Sequence, residues 1–232
     1  MSTWDKLLAS RPVLVCVVPM RKPSFYYLPA SCEAVELRLD YLDRLDFTQE
    51  IKELIENYVS HYPTIITVRE RDEGGNHGVD PEIKYKLFEF GKGIGALLDI
   101  EVSLLMRKPD IYGDLAEGSI VSRHVFSKDV NSYELAIKDL DVARKFRALI
   151  YKVFSINDND FINLLNLLNA GDIYVAVIPR NPPMFRAVSI MMGSALMFCS
   201  TRGKTGPGQL SIGLCNKVKM LKAPPLSMFD RE

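Results

Sequence analysis

The chain has 232 residues, 47% of them hydrophobic, which suits one large domain or two small ones with a substantial core. Lysine plus arginine and aspartate plus glutamate both number 29, so no global charge draws the molecule to nucleic acid or to an anionic membrane, and a small-molecule partner is expected. The longest early apolar run, PVLVCVVPM, is far short of a membrane span and is not preceded by the basic and apolar regions of a signal peptide, so the expected compartment is the cytoplasm.

Short apolar, β-rich runs then recur along the chain: PVLVCVV from 12, EAVELRL from 33, TIITVR from 64, ALLDIEV from 96, SIVSRHVF from 119, ALIYKVF from 148, IYVAVI from 173 and SALMFCS from 194. Most gaps carry a helical pattern, as in FTQEIKELIENYVSHY, PEIKYKLFEFGKG, SYELAIKDLDVARKFR and DNDFINLLNLLNAG. Strand then helix, eight times, predicts an α/β protein, a single-domain (β/α)₈ barrel spanning 1–232. An open doubly wound sheet would alternate in the same way, but its usual glycine-rich turn is missing after the first strand, where VVPMRKPSFYYLP has no glycine.

In a barrel the reactive face lies at the carboxyl ends of the strands, so polar residues late in a strand need a reason. Glu36 and Arg38 are two apart and share a face, while Val35, Leu37 and Leu39 take the other; an inner ion pair between Glu36 and Arg38 is expected. Arg69 ends the third strand, Glu73 follows in a glycine-bearing loop, and Asp99 and Glu101 are again two apart on the fourth. Ser122 and His124 share a face of the fifth, and His124 is the one histidine inside a strand, hence the acid–base candidate. A lone strand histidine is otherwise commonly a hydrogen-bonded core residue.

Lys152 interrupts the apolar run ALIYKVFS. Apolar surroundings favour a neutral amine, which is a nucleophile toward a carbonyl; the plainer reading is a snorkelling side chain or a partner for a carboxylate such as Glu101. The loop TRGKTGPGQLS, with three glycines and a proline, could close as a lid, or be an ordinary surface loop. Cys16, Cys32, Cys199 and Cys215 show no CxxC spacing, which fits free buried thiols better than zinc or disulfides.

Taken in order, ELRLD, TVRERDEGG, LLDIE, SRHVF, YKVFS and PGQ resemble the motifs of the type I 3-dehydroquinate dehydratases, (β/α)₈ barrels of the shikimate pathway that work through a lysine imine. The resemblance implies a hydro-lyase that converts 3-dehydroquinate to 3-dehydroshikimate. Lys152 would form the imine, His124 would move the proton, and Glu73 would orient His124. Glu36, Arg38, Arg69, Arg186, Thr205 and Gln209 would bind the substrate. It implies no metal and no cofactor, in keeping with the absence of GxGxxG and GKS/T motifs. Many relatives form homodimers, and the sequence leaves that assembly open. The chain departs from the family pattern at Phe185-Arg186, where a Ser-Arg is usual, and at Thr205-Gly206, where Ser-Ala is usual. Two alternatives share the fold: another lysine-imine barrel enzyme of the aldolase kind, and an inactive binder of polyhydroxy carboxylates.

Overall fold

The computed structural model describes residues 2–180, 182–201 and 203–221. The expected single domain over 1–232 therefore extends past the described residues.

All eight expected strands form: β1 (Val13–Pro19), β2 (Ala34–Arg38), β3 (Thr64–Thr67), β4 (Leu97–Glu101), β5 (Ile120–Val125), β6 (Ile150–Ser155), β7 (Tyr174–Pro179) and β8 (Leu196–Ser200). They make one sheet in the order β7-β6-β5-β4-β3-β2-β1-β8, every paired neighbour parallel. At the remaining seam the Ala195 N–H donates to the Val175 carbonyl at 2.8 Å and the Val177 N–H donates to Ser194 Oγ at 3.1 Å, so the sheet is a nearly closed barrel.

The helices are α1 (Thr3–Ala9), α2 (Gln49–His61), α3 (Pro81–Gly93), α4 (Val102–Arg107), α5 (Pro109–Ala116), α6 (Ser132–Lys145), α7 (Phe161–Asn166), α8 (Pro183–Met191) and α9 (Ile212–Met220). Their starts are written in the sequence: Thr48, Asp80, Asn131 and Ser211 each accept backbone N–H bonds as N-caps of α2, α3, α6 and α9. In α2 the buried residues Ile51, Leu54, Ile55 and Tyr58 fall at the i, i+3, i+4, i+7 spacing of one helix face. None of the helices among the described residues is long and apolar enough to cross a membrane.

Strand followed by helix holds seven times rather than eight, because residues 20–33 between β1 and β2 form no helix. Pro23 and Pro29 break the helical backbone ladder there. The segment instead runs extended over α2, with Phe25 against Tyr58 at 4.8 Å between ring centroids. The Tyr58 and Tyr62 hydroxyls accept from the backbone N–H groups of Tyr26 and Leu28.

Side-chain alternation divides the core in two. Val35, Leu37, Ile66, Leu98, Ile100, Val121, Tyr151, Val153, Val175 and Val177 face the helix layer. Ala34, Ile65, Leu97, Ile120, Ile150, Ala176 and Leu196 belong to a second cluster in the amino-end half of the barrel, joined by Trp4 and Leu8 of α1. The cysteines correct an expectation: they are paired, Cys16 with Cys32 and Cys199 with Cys215. Each pair is 16 residues apart in sequence and links different elements. Packing of the turn before β2 against β1, and of α9 against β8, brings the Cα atoms to 5.5 and 6.7 Å, within disulfide reach.

Candidate active site

The strand registers set a row of charge across the upper barrel. Glu101 of β4 lies beside Ser122 of β5, which lies beside Lys152 of β6, while Thr67 of β3 lies beside Asp99. Lys152 Nζ donates to Asp99 Oδ2 at 2.7 Å, lies 3.7 Å from Glu36 Oε1 and sits 4.0 Å from the Phe198 ring centroid. Arg69 bridges the carboxylates, with Nη2 2.8 Å from Asp99 Oδ1 and Nη1 3.0 Å from Glu101 Oε1, and it also donates to Ser122 Oγ at 2.9 Å. Burial pushes the Asp99 carboxyl up, but Arg69 and Lys152 outweigh it and hold the group well below the usual carboxylate range.

Three expectations change here. The apolar neighbours of Lys152, Tyr151 and Val153, point into the helix layer, so its amine meets carboxylates rather than a dry apolar pocket. The carboxylate beside it is Asp99, not Glu101; Glu101 is taken up by Arg69 and by the buried Lys84 of α3, whose Nζ is 2.9 Å away. The expected ion pair between Glu36 and Arg38 also gives way. Arg38 makes a two-pronged bond to Asp40 at 2.8 and 2.7 Å, and Glu36 accepts from Thr67 Oγ1 at 2.8 Å. Asp40 sits in the 3₁₀ turn Leu39–Tyr41 directly after β2, which puts its carboxylate within the guanidinium fork.

Glu73 ends the 3₁₀ turn Arg71–Glu73, followed by Gly74 at φ +85°. A Cβ on Gly75 would strike the backbone of Arg69 and Glu70, so this Glu-Gly-Gly turn requires its second glycine for space. The turn delivers Glu73 to β5. Its Oε2 accepts from the His124 backbone N–H at 3.0 Å and lies 3.1 Å from His124 Nδ1. Burial holds the His124 imidazole well below 6.5, reinforced by Arg69 and Lys152, so the ring is neutral at pH 7. Burial likewise pushes Glu73 up to about 7 against the pull of Arg69.

Arg186 enters from α8. It is buried, Nη2 donates to the Pro207 carbonyl at 3.1 Å, and Nε has no partner among the described residues. Burial lowers this guanidinium to about 10. Phe185, standing where the family pattern has serine, stacks on Phe161 at 4.3 Å in the helix layer. The loop after β8 folds over the site: the Thr205 N–H donates to Gln209 Oε1 at 2.9 Å, and the Tyr41 hydroxyl reaches the Thr205 carbonyl at 3.4 Å.

Lys152, His124, Glu73, Glu36, Arg38, Arg69, Arg186, Thr205 and Gln209 thus line one cavity of about 250 Å³. Val17, Phe126, Phe154, Ile178 and Phe198 supply its apolar wall. Sequence reasoning left Asp99 out of the site, although its two-residue spacing from Glu101 put both on the inner face. It also missed Lys84, whose place in a helical pattern gave no signal of burial. Among the described residues no group of three or more His, Cys, Asp or Glu is arranged to hold a metal ion.

A parallel barrel with an inward lysine, a histidine–carboxylate pair and an open arginine at its carboxyl end is the architecture of a lysine-centred (β/α)₈ enzyme. The family model for type I 3-dehydroquinase matches residues 25–221. The 3-dehydroquinate dehydratase of Pyrobaculum aerophilum is 32% identical over 217 residues, covering 86% of this chain and 67% of that protein. That of Ignicoccus hospitalis is 31% identical over 199 residues, covering 82% and 85%. Among solved structures, the 3-dehydroquinate dehydratase of Geobacillus kaustophilus superposes with a TM-score of 0.76 at 20% identity, covering 95% of this chain and 93% of that one. The chain belongs to the type I 3-dehydroquinase family.

Proposed function

We propose that the chain removes water from 3-dehydroquinate to give 3-dehydroshikimate, a step of aromatic biosynthesis, through an imine on Lys152. The observation that carries this reading is the meeting, in one cavity, of an inward lysine amine and a neutral histidine backed by a carboxylate.

Lys152 first gives a proton to His124, the freed amine adds to the substrate ketone, and that proton returns to the carbinol oxygen, which leaves as water to form a protonated imine. The iminium keeps a positive charge where the ammonium stood, so Asp99 at 2.7 Å and Glu36 at 3.7 Å balance it as they balance the ammonium. The iminium draws electrons from the adjacent C–H bond, His124 takes that proton, and the electron pair returns to expel the hydroxyl on the next carbon. The same proton goes out with the hydroxyl as water. Hydrolysis of the imine then releases product and restores the amine.

Arg186, buried and with no partner for its Nε among the described residues, receives the substrate carboxylate by a two-pronged contact. Gln209 and Thr205 close over it from the last loop, Glu36 and Arg38 meet ring hydroxyls, and Arg69 lines the cavity while fixing Asp99 and Glu101. We read the enzyme as a single-domain cytoplasmic protein without nucleic-acid or membrane partners; light scattering of the purified chain distinguishes a monomer from a homodimer.

The test is to incubate the protein with 3-dehydroquinate and borohydride, map the modified peptide by mass spectrometry, and follow enone absorbance in a parallel sample without borohydride. An adduct on Lys152 together with enone is expected. An adduct without enone would point to another imine chemistry, and an unmodified Lys152 would overturn the mechanism.

A further inference from the structure

The two oxygens of Glu73 have separate partners. Oε2 serves His124, through the backbone N–H and Nδ1. Oε1 accepts from the Ser103 hydroxyl at 2.6 Å and lies 3.9 Å from Arg123 Nη1. Ser103 is the second residue of α4, so the helix that begins directly at the end of β4 carries a hydroxyl to the far side of the carboxylate. Arg123 neighbours His124 on β5 but is turned the other way, clamped by Asp139 of α6 at 2.7 and 2.8 Å.

We propose that Ser103 is a positioning residue for the proton-transfer step: its hydroxyl locks one oxygen of Glu73 so that the other stays aimed at His124 Nδ1. With Nδ1 tied to the carboxylate, the proton of a neutral ring sits there, and Nε2 is left bare to take the substrate proton. This rests on the His124–Glu73 reading given above. Without the hydroxyl, Oε1 loses its donor, the carboxylate form is less favoured and free to rotate, and the histidine loses its fixed orientation.

The charged and titratable groups around Glu73 are Arg69 beyond β3, Glu101 of β4, and Arg123 and His124 of β5, with Asp139 and Tyr151 behind Arg123. Burial and Glu101 favour the protonated acid, whereas Arg69, Arg123 and the Ser103 hydroxyl favour the carboxylate. Ser103 is the neutral donor in this set, so removing it changes no formal charge.

The experiment is the pH dependence of kcat for the wild type and for Ser103→Ala, Ser103→Cys and Ser103→Thr, with melting temperatures to establish that each is folded. Ser103→Ala should move the acid limb of kcat alkaline by roughly one pH unit, an approximately tenfold loss on the limb that is recovered at higher pH, with KM little changed. Ser103→Cys, a weaker donor, should fall between, and Ser103→Thr should restore the wild-type limb. A folded Ser103→Ala with an unmoved limb, or one that loses activity equally at every pH, would overturn the role. Glu73→Gln distinguishes the two levels of the argument: it should abolish the limb, and a limb that survives it would overturn the His124–Glu73 pairing itself.

Discussion

The amino-end half of the barrel interior is apolar, whereas the carboxyl-end half, built from the same strands, sets buried charge beside an apolar wall. Moving two residues along a strand takes Ala34 to Glu36, Ile65 to Thr67, Leu97 to Asp99, Ile120 to Ser122 and Ile150 to Lys152. Below the boundary the side chains need only fill space. Above it Glu36, Asp99 and Lys152 are buried and must be matched, and Arg69 and Asp99 do so by holding both a neighbouring strand's groups and each other. The lower half can yield to small changes of volume, whereas the upper half fails when one member of its network is removed.

The largest effect expected above the boundary is loss of the amine. Lys152→Ala should lower kcat on the order of 10⁴-fold and leave no borohydride-trapped adduct, as steady-state kinetics and mass spectrometry would show. Next is Asp99→Ala, which strands two buried cations and should cost about 3–5 kcal/mol of stability, measured by urea unfolding. A cost similar to that of a floor substitution would erase the contrast between the halves.

Glu73 offers a finer test with a definite sign. Its folded value, about 7, lies above the ordinary glutamate value of 4.5, so the folded protein binds more protons between the two and this group's contribution to stability is lost as pH rises through about 7. Glu73→Gln should therefore stabilise the protein at pH 8, by at most about 3 kcal/mol, and give no gain at pH 4. Comparing melting temperatures at the two pH values checks it. Asp99 has the opposite sign: its folded value is depressed, so its contribution is present above 3.8 and is lost as pH falls below it. The smallest effect is expected in the floor, where Ile120→Val should cost about 1 kcal/mol and leave kcat unchanged, although Ile120 pairs directly with Asp99.

Much of this was legible from spacing. Two-residue alternation placed Glu36 with Arg38, Asp99 with Glu101 and Ser122 with His124 on inner faces, and the ordered motifs singled out Lys152, His124 and Glu73. Spacing could not choose partners. Arg38 turns to Asp40, Lys152 to Asp99 and Glu101 to Lys84, because partner choice depends on distances between strands and helices far apart in the chain. The cysteines failed for the same reason, since Cys32 and Cys215 come within reach of Cys16 and Cys199 only once a turn and a helix have packed. The missing helix between β1 and β2 had a local signal in Pro23 and Pro29, which the regularity of the other gaps concealed.

The sequence by itself determined the strands, their inner and outer faces and the residue types available at the barrel mouth, because period-two alternation and capping are local. Only the tertiary structure decided which carboxylate meets which cation, where Ser103 directs its hydroxyl and how the last loop rests on Arg186. Those outcomes depend on ångström-scale register between strands and helices, and electrostatic and hydrogen-bond energies inside a low-dielectric core change steeply over that range.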